Sequence, residues 1–150
     1  MAAIELRSPA FTDHSPIPGR HGHAGENVSP SLEWVGVPAE ATELLLLCED
    51  PDAPGGHFLH WLVTGVDAHS AGVAEQRKPV GGREWRNDFG EVGWGGPAPP
   101  PGDEPHRFVF RLYALSGPAA LPDDPTVEDV YRAADAAAIE RGTLVGLFRR

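Results

Sequence analysis

The sequence predicts a mostly β domain: a Greek-key β-sandwich with a few peripheral helices, one of them near the C-terminus. Three observations carry that expectation. The apolar residues come in short runs of strand length. Gly and Pro, 18 and 16 of 150 residues, cluster between those runs as turn chemistry. A sustained helical spacing appears once, after Asp123.

In the first thirty residues, Ser8-Pro9-Ala10-Phe11 and Pro16-Ile17-Pro18-Gly19 read as ordered loop, with Phe11 and Ile17 as apolar anchors. Leu32 to Val35 is a short strand. Leu44 to Cys48 is continuously apolar and is stopped by Glu49-Asp50-Pro51, as expected of a strand buried on both faces. Phe58 to Val66 alternates, with Phe58, His60, Leu62 and Thr64 on one face and Leu59, Trp61 and Val63 on the other. Arg107 to Leu115 alternates most clearly: Phe108, Phe110, Leu112 and Ala114 point one way, and Arg107, Val109, Arg111 and Tyr113 the other. A helix follows, with Asp123 or Asp124 as its cap, Pro125 in its first turn and Glu128 and Asp129 at the positive end of its dipole. Val127, Val130, Ala134, Ala137 and Ala138 form its apolar stripe, and Gly142 reads as its stop. Thr143 to Phe148 is the last strand.

A chain of 150 residues fits one domain, residues 1–150. The formal charge of −10 argues against nucleic acid, whose phosphates need a basic face, and against docking on an anionic membrane. Cys48 is the single cysteine, which excludes an internal disulfide and multi-cysteine zinc sites. Met1-Ala-Ala-Ile-Glu-Leu-Arg lacks the pattern of a signal peptide, and no apolar run reaches the ~20 residues of a membrane span. The expected location is cytoplasmic.

Three stretches can carry chemistry. In Asp50-Pro51-Asp52-Ala53-Pro54-Gly55-Gly56 two prolines stiffen a corner that holds two carboxylates; the plain alternative is a surface turn. His60 lies on a strand shortly after that corner, where a hairpin-like return would set it beside Asp52 and favour its charged form. In Gly93-Trp94-Gly95-Gly96-Pro97-Ala98-Pro99-Pro100-Pro101-Gly102, glycine N–H groups can form an anion-binding concavity, and His106 opens the next strand. His21-x-His23 and His57-x-x-His60 are weak metal candidates, because i and i+3 fall on opposite faces of a strand. No cofactor, metal site or standard catalytic template is expected.

Taken in order, these stretches resemble the phosphatidylethanolamine-binding protein family, also called Raf kinase inhibitor-like, and most closely its bacterial branch. Ser8-Pro9-Ala10-Phe11, Asn27-Val28-Ser29-Pro30, Leu32-Glu33-Trp34, Arg86-Asn87-Asp88-Phe89-Gly90 and Gly142-Thr143-Leu144-Val145-Gly146 extend the likeness over nearly the whole chain. The resemblance implies a β-sandwich with one pocket for phosphate, a phosphorylated small molecule or a phospholipid headgroup. Asp52 and His60 would be its charged pair, Gly95 a backbone contributor, Pro97 part of its wall and His106 the second imidazole. Asp50 would share the corner in a more structural role. It further implies a non-catalytic protein, a kinase or protease as partner, and a homodimer. The competing reading is an acid/base or hydrolytic enzyme using Asp52 with His60 or His106. Phe108 stands where the family commonly has Tyr, and the missing hydroxyl predicts weaker or differently oriented binding, since an unpartnered buried oxygen costs about 1–3 kcal/mol.

Overall fold

The computed structural model describes residues 3–150, so the part of the signal-peptide expectation that rests on Met1 and Ala2 lies outside the described residues. Among the described residues nine strands and one α-helix succeed one another: β1 Glu5–Arg7, β2 Ser15–Pro16, β3 Leu32–Val35, β4 Glu43–Asp50, β5 Phe58–Val66, β6 Gly72–Val73, β7 Arg83–Glu84, β8 His106–Leu115, α1 Val127–Ala137 and β9 Ala138–Phe148. A sheet of order β1-β3-β6 faces one of order β2-β9-β8-β4-β5-β7. Only the β2–β9 pair is parallel among the described residues. The mostly β sandwich expected from the sequence is the fold observed.

The large sheet is covered on both faces, which explains the unbroken apolar run in β4. Leu44, Leu46 and Cys48 pack with Trp61, Phe108 and Phe110 against Leu6, Leu32 and Trp34 of the small sheet. Leu45 and Leu47 point the other way, with Tyr113 and Leu115, onto Val127, Val130 and Ala134 of α1. All four β4 leucines are fully buried, each contributing roughly 1.5–3 kcal/mol of transfer free energy. The loop anchors are buried too. Phe11 and Ile17 lie so close to Gly146 of β9 that a Cβ there would collide with Ile17.

Three local readings need correction. α1 is capped by Thr126, not by Asp123 or Asp124. The Asp129 N–H donates to Thr126 Oγ1 at 3.1 Å while the Thr126 N–H donates to Asp129 Oδ2 at 2.9 Å, a reciprocal box that satisfies two donors at once. Pro125 therefore precedes the cap. Gly142 does not stop the helix either: the chain turns extended at Ala138, and Gly142 sits inside β9 opposite Leu112. It is glycine because a Cβ there would run into the Ile4 carbonyl oxygen.

The third correction concerns β5, whose alternation is broken twice. Cys48 pairs with Trp61 but Glu49 pairs with Leu59, so His60 is an extra residue opposed by none. Leu44 pairs with Val66 but Leu46 with Val63, a second bulge that includes Gly65 at φ +68°. A bulge of this kind re-aims side chains. Trp61, Val63 and Val66 consequently share the sandwich core, while Leu59 and Leu62 face α1.

Candidate functional site

The first bulge places the His60 ring on the sandwich side, 5.2 Å from the Phe108 ring of β8. Strand alternation in β8 puts His106 on the same side as Phe108. β4 delivers Asp50 between them. His106 Nδ1 bonds Asp50 Oδ2 at 2.7 Å, and Asp50 Oδ1 accepts the Asp52 N–H at 2.8 Å, closing the corner on itself. Both Asp50 and His106 are buried.

These three side chains border a cavity of about 260 Å³. Its remaining walls are apolar: Ala53 and Pro54 from the corner, Phe58 from the start of β5, Phe89, and Ala98 to Pro100 from the glycine/proline loop. No lysine or arginine lines it. Phe89 is held in the cavity wall by its own motif. The Leu59 N–H donates to Asp88 at 2.7 Å, and Asn87 Oδ1 accepts the Phe89 N–H at 2.9 Å. The Phe89 ring then lies 4.8 Å from Phe58 and 5.5 Å from His60.

The two histidines are opposite in character. Burial pushes the His60 imidazole below its ordinary pKa, against the smaller opposing pulls of the Gly95 carbonyl and the Asp50 charge. His60 Nδ1 bonds the Gly95 oxygen at 2.6 Å; a carbonyl only accepts, so Nδ1 carries the proton. For His106, desolvation also pulls downward, but the hydrogen bonds to Asp50 and Asp103 outweigh it and the pKa rises. Its Nε2 lies 2.9 Å from Asp103 Oδ2. With a carboxylate on each nitrogen, His106 is held as the imidazolium.

Of the residues expected at the site, Asp50, His60 and His106 converge on the cavity and Gly95 touches it through His60. Asp52 does not pair with His60. Its carboxylate is turned out to Arg107, accepting from Nε at 3.0 Å and Nη2 at 2.8 Å, with the Arg107 N–H at 2.9 Å. That guanidinium pulls Asp52 down to about 2. The alternation of β8 explains this, since Arg107 faces away from the pocket side that His106 and Phe108 share. The acid beside the imidazoles is Asp50.

Pro97 is buried but lies outside the cavity lining, and its carbonyl accepts the His23 N–H at 2.9 Å. The glycine concavity is not formed. The N–H groups of Gly93, Gly95 and Gly96 are spent on Trp85 O, His60 O and Asn27 Oδ1. Those bonds fasten the loop instead. A Cβ at Gly95 would strike the Phe89 ring, and one at Gly96 the His21 carbonyl oxygen.

Sequence reasoning missed Asp103, Phe58 and Phe89 as site residues. Asp103 had one available signal, its place three residues before His106 on a stiff loop. Neither histidine pair assembles a shared ligand set: His21 Nδ1 bonds Val28 O at 2.8 Å, His23 stacks on Phe89, and His57 bonds Glu49. Among the described residues no three His, Cys, Asp or Glu side chains are grouped to hold a metal ion. The Cys48 thiol is fully buried, and desolvation, reinforced by Glu49 and Asp50, pushes its pKa up, so it is no nucleophile.

The family model described as Phosphatidylethanolamine-binding protein matches residues 7–149. The chain belongs to that family. It is 41% identical over 152 residues to a UPF0098 protein of Methanothermobacter thermautotrophicus, with 98% of this chain and 99% of that protein covered. It is 40% identical over 145 residues to a Mycobacterium tuberculosis protein named "Putative lipoprotein LppC", covering 97% of this chain and 72% of that one. Among solved structures, YbcL of E. coli, described as a member of the mammalian PEBP family, superposes with a TM-score of 0.90 at 28% identity, covering 99% of each chain. The phosphatidylethanolamine-binding protein homologue CT736 of Chlamydia trachomatis gives 0.87 at 32% identity, covering 100% of this chain and 99% of the other. No helix among the described residues is long and apolar enough to cross a membrane.

Proposed function

We propose that the protein is a non-catalytic receptor for phosphate or a phosphorylated small molecule, held in the cavity between β5 and β8. One observation carries the reading. Two imidazoles from separate strands border a single cavity, and one of them is kept charged by Asp50. In a chain of formal charge −10, that imidazolium is the one cation among the described residues that line the cavity. The apolar walls suit the uncharged body of a small ester. Phe108, fully buried beside His60, contributes no hydroxyl, so the ligand's oxygens take their hydrogen bonds from His106 and water, while His60 Nε2, with Nδ1–H spent on Gly95, accepts from a P–OH. Docking of a kinase or protease on the stiff Pro99 to Pro101 loop belongs to the same reading, as does a cytoplasmic setting with dissolved phosphate.

Titration calorimetry with inorganic phosphate and phenyl phosphate tests it. Binding in the millimolar range or tighter is expected, weakened at least tenfold in His106→Gln and in His60→Ala. No heat and no change in Trp61 or Trp94 fluorescence up to about 50 mM ligand, with the fold intact by circular dichroism, would defeat the proposal. An acid/base enzyme is the second reading, favoured by the carboxylate that orients the His106 ring. Turnover of a phosphoester panel that disappears in His106→Gln would decide for it.

A further inference from the structure

His106, which lines the cavity, already holds carboxylates of the protein's own. His106 has two ring nitrogens and both are occupied, Nδ1 by Asp50 at 2.7 Å and Nε2 by Asp103 at 2.9 Å. An anion that seeks the imidazolium N–H must therefore displace a carboxylate. Asp50 is the wrong one to move. Its side chain is 5% exposed, and its other oxygen holds the Asp52 N–H, so turning it away would strand a buried charge. The Asp103 side chain is 44% exposed and sits just past the Pro99-Pro100-Pro101-Gly102 turn, tied through its own N–H to the Pro100 carbonyl at 3.3 Å. Rotating its side chain returns the carboxylate to water, where its charge is screened.

Resting on the phosphate-pocket reading above, we propose that Asp103 is a tethered competitor that occupies the ligand's own hydrogen bond on His106 and sets the affinity every entering anion must exceed. A short tether gives such a group an effective concentration of millimolar order or above. A free monocarboxylate makes the same kind of bond as Asp103 and can win only by concentration. A phosphate group brings more charge and more acceptor oxygens, so it displaces the carboxylate at lower concentration. The competitor divides the affinity of all anions by one common factor, because only the fraction of molecules with Asp103 turned out can bind.

That common factor separates a competitor from a merely repelling charge. Inorganic phosphate and acetate are titrated at fixed ionic strength into the wild type, Asp103→Asn and Asp103→Ala, followed by the ring nitrogen shifts of His106. Asp103→Ala is expected to tighten both anions by the same factor, about three- to tenfold, with Asp103→Asn between. It also lowers the His106 titration midpoint without any ligand, since one of two carboxylate partners is gone. A gain for phosphate well above that for acetate would replace competition by simple repulsion. Unchanged affinities with wild-type binding intact, or an unmoved His106 midpoint, would overturn the proposal and leave the phosphate reading standing. Binding of neither anion to any variant would end both.

Discussion

β4 ends in two consecutive carboxylates, and the strand sends them to opposite faces of the large sheet, where each holds a histidine. On the helix side, Glu49 accepts from His57 Nδ1 at 2.6 Å and from the Tyr131 hydroxyl at 2.8 Å, and Arg111 Nε donates to that hydroxyl at 3.2 Å. On the sandwich side, Asp50 holds His106. The chemistry is nearly the same, and the surroundings decide the use. Glu49 is roofed by Tyr131 of α1 and lines neither of the two surface hollows that its 46% exposed partner His57 borders. Asp50 borders the cavity itself, together with His106 and His60. A carboxylate–imidazole pair is a fastener where packing closes over the acid and a candidate binding site where packing leaves room beside it.

The largest expected effect tests the fastener. Glu49→Ala leaves the Tyr131 hydroxyl and His57 without their acceptor and should cost about 2–4 kcal/mol in urea unfolding, while phosphate binding in the pocket survives in the molecules that remain folded. Loss of binding with an unchanged unfolding midpoint would reverse the assignment of roles. Tyr131→Phe is milder: one hydrogen bond to a buried carboxylate disappears, for about 1–1.5 kcal/mol, with no change in ligand affinity.

The subtlest test is pH. His106, with its raised pKa, adds stability that is whole below the unfolded imidazole value of about 6.5 and fades as pH climbs through its folded value. His60, with its lowered pKa, does the reverse, and its contribution is lost as pH falls below about 6.5 toward its folded value. Replacing His106 by Gln should therefore flatten the alkaline side of the stability profile, and His60→Gln the acid side. Urea midpoints between about pH 5 and pH 8.5 show which limb each substitution removes, and the same limb changing in both variants would contradict the contrast.

Much of the large sheet was legible in the sequence because its code is periodic. The four leucines of β4 announce a strand covered twice, and the alternation of β8 correctly assigns Phe108, Phe110, Leu112 and Ala114 to the sandwich core. The small edge strands were not legible, since two or three residues carry no period. The site was legible in its residue types and not in its pairings. Asp50, His60 and His106 meet, but the partner of Asp52 depends on which way Arg107 leaves β8, and strand alternation settles that only once the pairing is known. The glycine loop showed the same limit. Its composition was readable, yet the acceptors that consume its N–H groups come from residues as distant as Asn27.

The bulge at position 60 makes the fold and the candidate pocket separable in heredity. Since that residue has no opposite number on β4, an in-frame loss of its codon would let Leu59 and Trp61 pair in plain succession and keep both faces of the strand as they are. The lineage would forfeit one imidazole and the carbonyl that anchors the Gly95 N–H, and would retain the sandwich.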